Sequence, residues 1–417
     1  MALDAQSNWN VEMSQPLKIP IRQRDKHSDK LFSQEFSAEI TFMRPPAREI
    51  LLPSEIITQI LSYIPLQKAS QSTFWSCALV SRTWYSCSIA FLYVHPHLDG
   101  GNFADFVRTI CPSKNAHIRQ SSLSVLVKRL DMSELVHNSS RSLTARILGR
   151  LKGNIEGFVA PQASFGINSF AALSKCTKLR VLDLSLISAS ISNRLLFQTL
   201  KSLQELEILF FPRSSSLDGT GGETPYTWPP KLKALHLAGG ISDHFLETHL
   251  VYAPQTLTKF SIQHCSQVHQ DSLIKGLKIL GPYLKHLTIR HPMSQLAQGS
   301  LDVVLEHCPS LIALRVSADY LTHDAFDSGS SNGHPLQILD LECSPTFSTE
   351  MAPNAWSLCD LVDKDILPDL RIIRVSSRLR WGATDRSKEK VEDLEELLEE
   401  NEAIKPLGLL TGVWEID

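Results

Sequence analysis

The sequence predicts an α/β chain: a short helical module followed by a stacked solenoid with a parallel sheet on its concave side and helices on its convex side. Three observations carry this prediction. A leucine-rich unit recurs at near-constant spacing over most of the chain, a compact stretch of helical apolar periodicity precedes it, and the segment ahead of that is polar and proline-bearing with no apolar period at all.

The recurring unit is LxxLxL. It reads as Leu179-Leu182-Leu184, Leu203-Leu206-Ile208, Leu232-Leu235-Leu237, Leu257-Phe260-Ile262, Leu284-Leu287-Ile289, Leu311-Leu314-Val316, Leu336-Leu339-Leu341 and Leu370-Ile373-Val375, with weaker units at Val127-Leu130-Met132 and Ile155-Phe158-Ala160. Successive first leucines of the eight strong units are 24, 29, 25, 27, 27, 25 and 34 residues apart. That is the period of a leucine-rich repeat, and the long last interval holds an insertion, Phe347 to Asp365. The last two apolar residues of each unit turn inward on a short strand. A helical return follows, as at Asp271 to Leu280, where Leu273, Leu277 and Leu280 share one face. One unit cannot bury its own apolar side, so the units must stack.

Around this array the chain divides into a disordered segment (1–48), a helical module (49–98), a linker (99–121), the solenoid (122–380) and an acidic helix with a tail (381–417). In the helical module, Pro53 suits a helix start and Glu55 favours its dipole. Ile56, Ile60, Leu61 and Ile64 form one helical stripe, and Phe74, Cys77, Ser81 and Trp84 another, with Leu79 and Val80 on an adjacent face. Near the end, Val391, Leu394 and Leu398 line one side of an otherwise acidic helix. This helix either caps the solenoid or leads a tail whose Trp414 folds back into the groove.

Composition narrows the function. The 417 residues carry 41 basic and 44 acidic side chains, a formal charge of −3 that gives no reason to expect a nucleic acid or an anionic membrane as partner. No run of about 18 apolar residues is present and the first residues do not form a signal peptide, so the cytoplasm, the nucleus or both are expected. The eight cysteines lack metal-knuckle spacing and read as reduced, buried thiols. No nucleophile elbow, phosphate loop or zinc-protease motif occurs, so neither catalysis nor a cofactor is expected.

Two stretches carry a family resemblance. Leu52-Pro53-Ser54-Glu55-Ile56-Ile57 with Ile60-Leu61, and Ala78-Leu79-Val80-Ser81-Arg82-Thr83-Trp84-Tyr85, resemble an F-box, although Ser81 stands where that family often has cysteine. Cys176 three residues before Leu179, Cys308-Pro309-Ser310-Leu311, Cys265 after Ile262 and Ile241-Ser242-Asp243 resemble the cysteine-containing leucine-rich repeats of F-box proteins. The resemblance implies a non-catalytic, substrate-receptor subunit of an SCF-type ubiquitin ligase. Its F-box would bind the adaptor, and through it the cullin, by Leu52, Pro53, Ile56, Ile60, Leu79, Val80 and Trp84. Physically, a unit of this size has too little core to stand firmly alone and would borrow a partner's surface. On residues alone, a plain helical cap on the solenoid, or a scaffold outside any ligase, stands beside that reading.

Period-two alternation puts positions three, five and seven of each unit on the concave face. The early units then show Asp183, Glu205, Glu207 and Leu209, and the middle units His236, Lys259, His286, Arg290 and Arg315. This basic stripe is expected to receive an acidic or phosphorylated protein substrate, arginine being suited to pair phosphate bidentately.

Overall fold

The computed structural model describes residues 52–113, 121–135, 140–216, 225–327, 333–347 and 351–416, so the segment 1–48 expected to be disordered lies outside the described residues. Three helices open the described chain: α1 (Ser54–Ser62), α2 (Gln71–Val80) and α3 (Arg82–Val94). A helix α4 (Phe103–Ile110) leads to the array.

The array is an all-parallel sheet of eleven strands. These are β1 (Arg129–Asp131), β2 (Gly157–Val159), β3 (Val181–Asp183), β5 (Ile208–Phe210), β7 (Ala234–Ala238), β8 (Lys259–Gln263), β9 (His286–Arg290), β10 (Ala313–Ser317), β11 (Ile338–Glu342), β12 (Ile372–Ser376) and β13 (Gly412–Ile416), hydrogen-bonded in chain order. A two-residue pair, β4 (Ile191–Ser192) and β6 (Ser215–Ser216), lies apart from it. The returns carry α5 (Arg141–Leu151), α6 (Ile167–Leu173), α7 (Asn193–Leu200), α8 (Asp243–Thr248), α9 (Gln270–Leu280), α10 (Val304–His307) and α11 (Ala355–Asp363). The acidic helix is α12 (Asp385–Ile404). Alternating strand and helical return, with every strand parallel to the one before it, is a leucine-rich-repeat solenoid.

The register explains the leucines. Leu182, Leu209, Leu235, Phe260, Leu287, Leu314, Leu339 and Ile373 occupy one rung, and all are buried. This rung corrects one expected unit. The second strong repeat is Leu206-Leu209-Phe211, three residues later than Leu203-Leu206-Ile208, because Leu209 pairs with Leu182 and both Leu209 and Phe211 are fully buried. Leu209, expected on the concave face, points into the core, and Glu205 and Glu207 precede the strand. The corrected intervals on either side of Leu206 are 27 and 26 residues, closer to the rest of the series.

The chain's last strand, β13, pairs with β12 and ends the sheet. Ahead of it, α12 packs on α11 and buries Leu394 and Leu398 completely, with Val391 packed at their edge. Trp414 therefore lies within a strand, at the end of the row that runs through Arg374, and not across the groove. A fully buried arginine ties this end together: Arg371 donates to the carbonyls of Pro368, Leu370, Asn401 and Lys405 and to Glu402 at 2.7–3.0 Å.

Candidate functional site

The opening helices enclose a small core of their own. Ile57, Leu61, Phe74 and Cys87 are buried, with Ile64, Cys77, Trp84 and Phe91 packed around them and the Phe74 and Phe91 rings stacked at 5.6 Å. The first helix does not present the single stripe expected. Ile57 and Leu61 face inward, while Ile56 and Ile60 face out, so α1 is apolar on two sides. The second stripe is also interrupted. Helix α2 stops at Val80, and Ser81 caps α3 by accepting the Trp84 N–H at 3.3 Å. Pro53 stands at the cap of α1 and its carbonyl receives Ile57 N–H at 3.1 Å.

Leu52, Pro53, Ile56, Ile60, Leu79 and Val80 are exposed, Leu79 and Val80 by 65% and 66%, whereas Trp84 is half-buried against the small core. Tyr63, Trp75 and Tyr85 join them as exposed aromatics that the residue pattern had not singled out. Their only signal was an apolar side chain outside the inward stripe. Eight of the 18 large apolar side chains exposed among the described residues fall between Leu52 and Tyr85, a concentration that leaves this module poorly sealed.

The module is fastened to the solenoid by its rear. Lys128 N–H, one residue before β1, donates to the Val94 carbonyl at the end of α3 (3.0 Å). Glu134 of the solenoid takes Lys68 at 3.2 Å and His97 at 3.5 Å. Tyr93 packs on the large apolar core that runs through the solenoid.

On the concave face, register places Lys259 beside His286, and His236 three strands before Arg315 on a single rung. Their electrostatics differ from a plain basic stripe. His236 stacks on Phe210 with centroids 4.1 Å apart, and burial, then Lys259, holds its pKa down at about 4. Burial, then Lys259 and Lys285, also holds His286 at about 4, so both imidazoles are neutral near pH 7. Arg290 and Arg315 share one carboxylate: Glu342 accepts from Arg290 Nε at 2.8 Å and from Arg315 Nε at 2.6 Å. Beside them the nearly inaccessible Asp340 pairs with Arg374 at 3.3 Å, its pKa raised by burial against the pull of Arg374 and Arg315. Five charged side chains on β9–β12 thus form a ladder whose charges almost cancel. Sequence spacing could not reveal this, because Arg290 and Glu342 are 52 residues apart.

The repeat cysteines Cys176, Cys265 and Cys308 are buried, and burial pushes each thiol up to about 12. They stay protonated and act as small apolar filling. Among the described residues no group of three or more His, Cys, Asp or Glu side chains could hold a metal ion, and no helix is long and apolar enough to cross a membrane.

Residues 50–99 match the family model described as F-box-like. The F-box protein YDR306C of Saccharomyces cerevisiae is 31% identical over 373 residues, covering 85% of this chain and 75% of that protein. Protein pof5 of Schizosaccharomyces pombe is 28% identical over 349 residues, covering 83% and 95%. Among solved structures, a chain of the yeast Rad7 and Elc1 complex aligns with a TM-score of 0.41 at 16% identity, over 79% of this chain and 94% of that one. With a helical F-box region at its front and a relative of this identity along most of its length, the chain belongs to the F-box proteins.

Proposed function

We propose that this F-box protein is the substrate-recognition subunit of an SCF-type cullin-RING ubiquitin ligase, without catalytic activity of its own. Its F-box takes the adaptor, and through it the cullin, using Leu52, Pro53, Ile56, Ile60, Leu79, Val80 and Trp84. The concave face of the repeats, which we assign to the cysteine-containing subclass, takes a protein substrate along His236, Lys259, His286, Arg290 and Arg315. The protein works in the cytoplasm or nucleus. The ligase chemistry belongs to other subunits, and this chain raises the effective concentration of substrate beside them.

The observation that carries this reading is the unsealed module. Exposed aliphatic side chains on α1 and α2 surround a small apolar cluster of Ile57, Leu61, Phe74 and Cys87, while the rear of the module is bonded to the solenoid. A plain cap would turn its apolar side chains toward the repeats and leave a polar outer surface. The test is co-purification of adaptor and cullin with the full chain, beside a Leu52→Ala/Pro53→Ala variant. The expected result is capture by the native chain and loss in the variant with folding intact. Capture of substrates but never of an adaptor would instead identify a scaffold outside any ligase.

A further inference from the structure

One side chain holds the last edge of the sheet. Among the described residues no strand lies beyond β13, so its outer side carries backbone groups that no ladder takes up. Two hydrogen bonds fix which groups these are. Gly412 N–H donates to the Arg371 carbonyl at 3.1 Å, so in this parallel pair Gly412, Trp414 and Ile416 turn their amides toward β12, and Val413 and Glu415 turn theirs away. The outward Val413 N–H is taken by Glu395 Oε1 of α12 at 3.1 Å. Glu395 thus stands where the carbonyl of a further strand would be. Exposed acids surround it on the same helix, at Glu392, Glu396, Glu399 and Glu400.

Beneath that cap the strand is self-complementary. Its sequence, Gly-Val-Trp-Glu-Ile, is strand-forming and holds neither the proline nor the lysine that commonly protects a sheet edge. A two-fold axis through Trp414 would set Val413 opposite Glu415 of a second copy, and the outward amides and carbonyls would exchange hydrogen bonds on both sides of the axis. On the concave side the two Trp414 rings would meet as the non-hydrogen-bonded pair, the type that brings cross-strand side chains closest. Each ring already lies over its own Gly412, where an added Cβ would come within 3.3 Å of it. Ile416 of the second copy, half-buried in the single chain, would rest on that ring. With Glu395 in place this approach fails twice. The Val413 amide is already committed, and Glu415 of the second copy, on the same face as Val413, would arrive against the Glu395 carboxylate.

We propose that Glu395 is an autoinhibitory cap on β13, and that the uncapped edge pairs antiparallel with β13 of a second copy of this chain. The surface is the outer edge from Gly412 to Ile416, and its partner is the same five residues related by a two-fold axis. The cap sits at the opposite end of the strand order from the F-box helices and acts without adaptor or substrate.

Sedimentation velocity of the full chain over a range of concentrations tests the cap. The native chain should run as a monomer and Glu395→Ala as a concentration-dependent dimer. A hydrogen bond to a charged group must be displaced from each copy, so truncation should strengthen self-association by about 100-fold or more. Glu395→Gln keeps an acceptor oxygen and should strengthen it less. Glu395→Ala/Glu415→Pro removes an outward amide without touching the bonds to β12 and should return the chain to a monomer. Amide exchange in the native chain gives a reading that needs no variant: Val413 should be protected as Trp414 is. A monomeric Glu395→Ala variant with a native melt overturns the proposal, even where it captures other polypeptides through β13. So does association that persists with Glu415→Pro, a native chain that already dimerises, or rapid exchange of the native Val413 amide.

Discussion

Replacing Leu79 and Val80 together by alanine separates their proposed adaptor-docking role from folding. Both side chains are about two-thirds exposed in the free chain, so their truncation removes little from the folded core, and stability should change by less than about 0.5 kcal/mol. Complete burial of such a side chain is worth roughly 1.5–3 kcal/mol. The exposed two-thirds leaves about 1–2 kcal/mol per residue to be gained against a partner, and about 2–4 kcal/mol for the pair. At 1.4 kcal/mol per factor of ten, the affinity for the adaptor should fall between about 30- and 700-fold. Titration calorimetry with purified adaptor, paired with a thermal melt of the free chain, reads both quantities. An unchanged affinity refutes the assignment of this face. A weakened affinity accompanied by an equally large drop in melting temperature refutes the argument that the two side chains are free to bind.

Three further outcomes follow from the geometry. Phe74→Ala removes a fully buried ring stacked on Phe91. It should cost about 3–5 kcal/mol, enough to open α1–α3, and limited proteolysis should cut the front module while the repeats resist. Arg371→Met leaves the carbonyls of Asn401 and Lys405 without their donor. It should destabilise the C-terminal end by about 3 kcal/mol or more, seen as faster amide exchange in β12 and β13. Burial holds His95, His236 and His286 near pKa 4 in the folded chain, whereas unfolded histidine titrates near 6.5. The unfolded state binds more protons between those values, so stability should fall as pH drops from about 6.5 toward 4. His236→Gln should flatten that slope in pH-dependent melts.

The solenoid was legible because its signal is repetitive and apolar. Each LxxLxL leucine is buried for the same reason in every turn, so ten strands could be anticipated from side chains alone. Where the unit was misplaced, at Leu203, an accidental leucine three residues upstream imitated the pattern, and only pairing with Leu182 distinguishes the two. Strand β13 was not foreseen, since Val413 and Ile416 follow no LxxLxL unit and are seated by α12 and β12. The front module was legible as a motif but not as a surface. Helical spacing finds apolar residues without saying which side faces in, and α1 is apolar on both. The concave charges were least legible. Which arginine meets which carboxylate depends on strand register between residues 27 or 52 positions apart, and the neutrality of His236 and His286 depends on burial that no local pattern encodes.

The bond from Lys128 to Val94 sets the start of the first strand of the repeats directly beside the end of the last F-box helix. Under the proposed substrate-receptor role, such a joint would behave as a ruler and not a tether. The position of a bound substrate along the sheet would then decide which of its lysines comes within reach. Moving the same recognition sequence by a few residues in the cargo should change the modified lysine more than it changes the affinity.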